Sequence, residues 1–257
     1  HQQYLGNTLA EIAFEKAGIL KRNCFAIIGP QEDEALAVIE ARAYEVGATC
    51  KIYGQHWHTW EENGRLVFQD ENGLLDLPLP KLIGAHQIQN AGIALATLRY
   101  LGKENSSFEG AMLNADWPAR MQRLRKGIIT SLAPSAEIWL DGGHNKAAGY
   151  ALTEAIGRLQ PRKLFLIVGM LNTKDIVGYM KPLLSRSTNL YGVSIPGEAA
   201  TMTAEETVKI ARDVGFEAVI SEDVESAIRD IIKQDDKARI LICGSLYLAG
   251  NILQKNS

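Results

Sequence analysis

Glu137-Ile138-Trp139-Leu140-Asp141-Gly142-Gly143-His144-Asn145-Lys146-Ala147-Ala148-Gly149-Tyr150 is the stretch on which the reading of this 257-residue chain turns. Ile138, Trp139 and Leu140 form a short apolar run, stopped by an acid and two glycines. Beyond them Ala148, Ala151, Leu152, Ala155 and Leu159 recur at helical spacing. Asn145 stands where an N-cap belongs, so the free N–H groups of the first turn point at whatever fills the glycine turn. Strand, tight turn and helix start make an anion site at the carboxyl edge of a sheet. Asp141 and His144 share that crevice. By itself the stretch also fits a plain turn, capped by Asp141, with His144 an exposed polar residue; the rest of the chain decides between the two.

Working outward, the pattern from residue 137 onward is strict alternation. Apolar runs at 138–140, 164–168, 190–193, 217–220 and 240–243 read as strands, and 146–159, 175–184, 204–214, 224–232 and 246–253 as helices. The strands are continuous runs, which indicates a parallel sheet covered on both faces. The expected fold is a doubly wound, Rossmann-like α/β domain whose ligands gather at the carboxyl ends of its strands. A β-like stretch at 123–131 precedes it. Asp116-Trp117-Pro118 breaks the pattern and marks a domain boundary, giving domains 1–116 and 117–257.

The first domain opens with a helix over 8–20, where Thr8 and Glu11 form a capping-box pattern. A strand at 24–28 and a helix over 32–46 follow, closed by Gly47 at the C′ position. Short strands are expected at 49–53, 56–60, 65–69 and 75–79, with Asn63-Gly64 and Asn72-Gly73 as turn signals. A long helix over 87–101 buries Ala91, Ala94, Leu95, Leu98 and Leu101, and a shorter one covers 108–113.

Composition narrows the classes of function. A hydrophobic share of 46%, a charged share of 22% and a net charge of −3 describe an ordinary globular chain. That balance gives no electrostatic reason to expect nucleic acid or an anionic membrane as partner, and no apolar run is long enough to span a bilayer. Cys24, Cys50 and Cys243 are odd in number and widely spaced, which suits free thiols in a cytoplasmic protein better than a disulfide framework or zinc site. The chain starts at His1, not Met, so it reads as a piece whose amino-terminal part is missing.

Several residues outside the central stretch are candidates for chemistry. Lys16 shares a semi-apolar helical face with Ile12 and Ala13; partial burial would lower its pKa, and a neutral amine adds carbon dioxide to give a carbamate, an oxygen donor for a hard cation. A solvated Glu15–Lys16 surface pair is the plainer alternative. Asn90 lies one turn after His86 and can donate and accept at once. Arg120, after Trp117-Pro118-Ala119, can reach a phosphate held between two domains or serve as a surface ion-pair partner.

Six runs then occur in order: Leu5-Gly6-x-Thr8, Glu15-Lys16-Ala17-Gly18-Ile19-x-Lys21, His86-Gln87-x-x-Asn90-Ala91, Trp117-Pro118-x-Arg120-x-Gln122, Asp141-Gly142-x-His144-Asn145 and Gly244-Ser245-Leu246-Tyr247-Leu248-Ala249-Gly250. Together they resemble the folylpolyglutamate synthase/dihydrofolate synthase family of the Mur ligase superfamily. The resemblance implies the carboxyl-terminal part of a P-loop-type ATPase domain followed by a Rossmann-like Mur ligase C-terminal domain. It implies an ATP-dependent ligase that phosphorylates a carboxylate of folate or dihydropteroate and lets L-glutamate attack the acyl phosphate. By motif, His1 and a carbamylated Lys16 would hold Mg2+, or Mn2+. Asn90, Arg120 and Asp141 would contact ATP, and His144 and Ser245 would line the glutamate side, with Lys16 and His144 nearest the chemistry. A monomer is expected.

The departures are specific. The 257 residues hold no G-x-x-x-x-G-K-[ST] phosphate loop, so this piece alone is not expected to turn over ATP. Ala119 replaces a common glycine and Lys146 a proline; both changes read as tolerable. The competing readings are a peptidoglycan-precursor Mur ligase, a non-catalytic nucleotide- or glutamate-binding module, and a receiver-like signalling domain built on Asp141.

Overall fold

Continuous apolar strands flanked by amphipathic helices require a sheet with two covered faces, and residues 116 onward build one. The computed structural model describes residues 5–256. The chain divides into two compact units. One holds the residues up to Lys81 together with His86–Ala115; the other holds Leu82–Ala85 and the residues from Asp116 onward.

The first unit begins with α1 (Leu9–Ala17), started by a complete capping box: Glu11 N–H donates to Thr8 Oγ1 while Thr8 N–H donates to the Glu11 carboxylate. β1 (Phe25–Ile28) pairs in parallel with β2 (Thr49–Ile52) across α2 (Asp33–Val46), and Gly47 ends α2 at φ 70°. β3 (Trp57–Glu62), β4 (Arg65–Asp70) and β5 (Gly73–Pro78) form an antiparallel meander. Its first turn has Asn63 and Gly64 both at positive φ, 51° and 73°, as a type I′ hairpin demands. The second turn falls on Glu71-Asn72, one residue earlier than the Asn72-Gly73 signal, because Gly73 at φ 104° already pairs with Asp70. α3 (Ala85–Tyr100) lays Ile88, Ala91 and Leu95 on the meander against Trp57, Leu66 and Phe68, and Phe108 and Met112 of α4 (Asn105–Asn114) close this core. Leu101, expected on the buried side, is exposed, since α3 has already ended.

The second unit is a six-stranded sheet. Its strands are β6 (Gln122–Leu124), β7 (Glu137–Leu140), β8 (Leu164–Val168), β9 (Asn189–Gly192), β10 (Ala218–Ile220) and β11 (Arg239–Cys243), in the order β10-β9-β8-β11-β7-β6. All neighbours are parallel except β6 and β7. The expected strand over 123–131 is a correction: β6 stops at Leu124, and a short α5 (Ile128–Ser131) follows Gly127 at φ 112°. The chain turns there because Asn256 Oδ1 accepts the Ile129 N–H (2.9 Å) and its Nδ2 donates to Lys126 O (2.7 Å). The later connections are α6 (Lys146–Gly157), α7 (Ile176–Met180) with one following 3-10 turn, α8 (Ala204–Val214), α9 (Val224–Gln234) and the final α10 (Leu246–Lys255). One apolar core lies on each face: Ile138, Leu140, Ile167 and Ile240 on one, Trp139, Leu166, Val168 and Leu241 on the other.

α6 and α7 approach so closely that a Cβ on Gly149 would overlap the carbonyl of Tyr179. In an open helix, alanine would gain about 1 kcal/mol over glycine. Here it must push two helices apart, an overpacking cost of about 3 kcal/mol. Gly149→Ala is therefore expected to lose about 2 kcal/mol of stability, measured by urea unfolding followed by circular dichroism.

Candidate functional site

Four loops meet at the carboxyl ends of β7, β8 and β11, and all belong to the second unit. β11 pairs with β7 on one side and β8 on the other, so the turns leaving these strands are neighbours by register. Gly169 N–H donates to Cys243 O (3.2 Å), and Gly244, at φ 108°, lies against Met170 and the Gly169 carbonyl. A side chain at residue 244 would be excluded by both conformation and space.

Asp141 is the centre of this arrangement and is only 5% exposed. Its Oδ2 accepts the Met121 N–H (2.8 Å) and its Oδ1 the Gly143 N–H (2.7 Å). Gly142 N–H in turn donates to Ala119 O (2.8 Å). Ala119 and Met121, on either side of Arg120, are thus tied to Gly142 and Asp141. Gln122 closes the loop by accepting the Ala119 N–H on Oε1 (2.9 Å). The guanidinium of Arg120 is exposed, but its backbone is held on both sides. Ala119 and Met121 both have positive φ, 56° and 40°, which L-residues rarely adopt. The strain sits at the one loop that presents an arginine.

His144 is half-buried, and its Nδ1 lies 3.0 Å from Gly142 O. A carbonyl only accepts, so Nδ1 carries the proton and Nε2 is left to accept from, or once protonated donate to, a ligand. Asn145 caps α6 by accepting the Ala148 N–H (2.9 Å). Lys146 is the first residue of α6, the position where proline is also favoured. The other first-turn N–H groups are those an anion would use. Ser245 is buried, and its Oγ accepts the Tyr247 N–H (3.1 Å) as the N-cap of α10. Its hydroxyl proton is what remains for a ligand.

Beneath the turn lies a group with no sequence signal. Tyr179 and Cys243 are buried beside Asp141. Burial raises the Cys243 thiol to about 12, with the Asp141 charge adding to it. Burial likewise pushes the Tyr179 hydroxyl well up, the neighbouring Cys243 and Asp141 contributing. Both stay protonated at neutral pH.

The remaining candidates lie in the first unit. Asn90 is exposed on α3 and donates Nδ2 to Gln87 Oε1 (3.0 Å), while Gln87 Nε2 lies 2.9 Å from His86 Nε2. The helix face linking residues 86 and 90 is therefore a hydrogen-bonded row. Lys16 is a correction: it is exposed, not partly buried. Ala13, Ala17 and Leu20 form the buried side, and Lys16 flanks it among the exposed Phe14, Glu15 and Ile19. His1 lies outside the described residues. Among the described residues no three His, Cys, Asp or Glu side chains gather as a metal site.

A family profile described as dihydrofolate synthetase, C-terminal domain, matches residues 129–255. The folylpolyglutamate synthase of Lacticaseibacillus casei is 27% identical over 274 residues, covering 99% of this chain. The dihydrofolate synthase/folylpolyglutamate synthase of Escherichia coli is 29% identical over 259 residues, again 99% of the chain. Among solved structures, Escherichia coli FolC in complex with DHPP and ADP superposes with a TM-score of 0.81 at 28% identity, covering 99% of this chain and 58% of that one. Over almost its whole length this chain is similar to members of the folylpolyglutamate synthase/dihydrofolate synthase family. It spans 59% and 57% of the lengths of those two curated relatives. A bifunctional folylpolyglutamate synthase/dihydrofolate synthase with Mn, AMPPNP and L-glutamate bound superposes with a TM-score of 0.79 at 26% identity, over 98% of this chain and 58% of that one. The Mur ligase-like α/β fold read from the sequence agrees with these neighbours.

Ala119 sits at φ 56°, a conformation that glycine adopts without strain. Glycine would relieve about 1–2 kcal/mol of left-handed strain. It would also lose a buried methyl, about 0.8 kcal/mol, and gain about 0.4–1 kcal/mol of unfolded-state entropy. Ala119→Gly is thus expected to be near neutral, whereas Ala119→Val, a branched side chain at positive φ, should lose at least about 2 kcal/mol in chemical denaturation. Asp141→Asn keeps the shape but sets an amide NH2 against one of two backbone N–H donors. A loss of about 1–3 kcal/mol is expected for the orphaned donor, measured the same way.

Proposed function

We propose that this protein is an ATP-dependent ligase that joins L-glutamate to folate or dihydropteroate through an acyl phosphate. The observation that carries the reading is the Arg120 loop: a strained arginine turn pinned to Asp141 and Gly142, beside His144 and the start of α6. Phosphoryl transfer asks a protein chiefly for positioned positive charge. A guanidinium whose backbone is held on both sides supplies that charge with little reorganisation. Asp141 acts mainly through the backbone, by setting where Arg120 emerges. In this reading the exposed amide of Asn90 contacts the nucleotide, and the outward Nε2 of His144 orients the incoming glutamate. The hydroxyl of Ser245 lines the same side.

The relatives named above bear on the cofactors, since their complexes contain ADP, AMPPNP and Mn. Here Lys16 is open to solvent, so its amine is accessible to carbon dioxide. As a carbamate it would offer anionic oxygens to Mg2+ or Mn2+, with nucleotide phosphates and water completing a hard cation's shell. Residues 1–116 fit the role of part of an ATP-binding domain, and 117–257 the role of a Mur ligase C-terminal domain. No described helix is long and apolar enough to cross a membrane, and the three cysteines are free, which suits a reducing compartment such as the cytoplasm.

The 257 residues hold no glycine-rich phosphate loop, so no folate-dependent ATP hydrolysis is expected from them alone. The test is a chimera joining the amino-terminal part of the Escherichia coli relative to residues 1–257. Radiolabelled L-glutamate should enter dihydropteroate or reduced folate only when ATP is present. Arg120→Ala should lower kcat by about 10²–10³. A chimera that is folded and binds ATP, yet transfers no glutamate, would sink the ligase reading.

A further inference from the structure

The opposite edge of the second unit's sheet carries an unbalanced positive charge that the ligase reading does not use. Glu137, at the start of β7, is a carboxylate shared by three arginines. Arg239 Nε and Nη2 lie 2.9 and 2.8 Å from its Oε2, and Arg123 Nη2 and Arg162 Nε lie 3.3 and 3.7 Å from its Oε1. Arg239 is buried and fully engaged, so this pair is structural. Arg123 is only partly neutralised, lies over the Trp139 ring and remains 37% exposed. Two residues on, Arg125 is exposed and makes no ion pair among the described residues. Lys126 is exposed beside it.

Arg123 and Arg125 both line a groove of about 460 Å³ between β6 and the segment that follows α5. Its other walls include Thr130, Ser131 and Pro134, and no acidic residue lines it. A groove without acidic lining residues, one arginine without an ion pair among the described residues and a second only partly neutralised by Glu137 together describe a site for an anion. The spacing selects the kind of anion. Two residues of extended chain set the arginine backbones about 7 Å apart. Successive α-carbons of a γ-linked glutamyl chain, each bearing one carboxylate, are separated by five bonds, about 6 Å when extended. A chain of carboxylates can meet both guanidinium groups at once, each pair being charge-assisted and open to bidentate geometry, while a single phosphate meets one.

We infer that this groove binds the poly-γ-glutamyl tail of a folate substrate or product, at a site separate from the Asp141–His144 turn. The choice of a glutamyl chain rests on the ligase reading; the existence of an anion site does not. A tail held there adds a second point of attachment, so long-chain folates would bind more tightly than monoglutamates.

The test is calorimetric titration of the 257-residue chain with tetra-γ-L-glutamate, and separately with L-glutamate and inorganic phosphate. The tetrapeptide is expected to bind at least tenfold more tightly than either small anion and to weaken steeply from 50 to 300 mM salt. Arg125→Glu should cost at least tenfold in affinity, and Arg125→Lys should recover part of it. Arg125→Ala repeats the measurement should the charge reversal disturb folding. Binding that ignores residue 125, or no binding at all, overturns the proposal. Phosphate binding as tightly as the tetrapeptide overturns it in favour of a simple phosphate site. No turnover is needed, so tail binding by a chimera that fails to ligate glutamate would defeat the ligase reading alone, and ligation without tail binding would defeat the groove alone.

Discussion

One buried carboxylate holding two backbone N–H groups is the constraint on which the candidate site depends. Asp141 follows β7, and by accepting from Met121 and Gly143 it joins the turn after that strand to a loop twenty residues earlier. Each bond has a carboxyl acceptor in a buried setting, where hydrogen bonds are electrostatically stronger than in water. That strength is needed, because the Arg120 loop adopts left-handed backbone at two non-glycine residues. Remove the anchor, and the arginine has no reason to emerge beside the start of α6.

The two edges of the sheet show different uses of charge. At the carboxyl edge the Asp141 carboxyl accepts two backbone N–H groups and lies beside two buried, protonated neighbours. At the amino edge Glu137 is surrounded by three guanidinium groups. Burial works against the charged form of Glu137, yet Arg239, with Trp139 and Arg123, holds its carboxyl below the usual range. The first edge is built for placement of a reacting group. The second leaves positive charge over.

Much of this was legible in the residues. The caps at Thr8, Asn145 and Gly47, the Asn63-Gly64 turn and the unbroken apolar strands are local signals, and each element formed where its own chemistry placed it. What failed depends on distant partners. Residues 123–131 look like a strand until Asn256 is known to bind Lys126 and Ile129. Lys16 lies near an apolar stripe, but periodicity does not say how wide the covering is, and the covering ends at Ala13, Ala17 and Leu20. Within the site, motif resemblance singled out Arg120 and Asp141 yet gave Gln122 no task, and nothing marked Tyr179 or Cys243. Such pairings are made only when the sheet brings separate turns together.

The place of β11 has a consequence for how the second unit comes into being. It is the last of the sheet's strands to be made, yet it lies between β7 and β8, which are synthesised earlier. Until residues 239–243 leave the ribosome, those earlier strands face each other across a gap one strand wide, with apolar edges open to aggregation. Nascent chains of this design must either wait, sheltered by chaperones, or collapse around a slot kept for their final strand. A stop codon before residue 239 would therefore remove the middle of the sheet and not merely trim its tail.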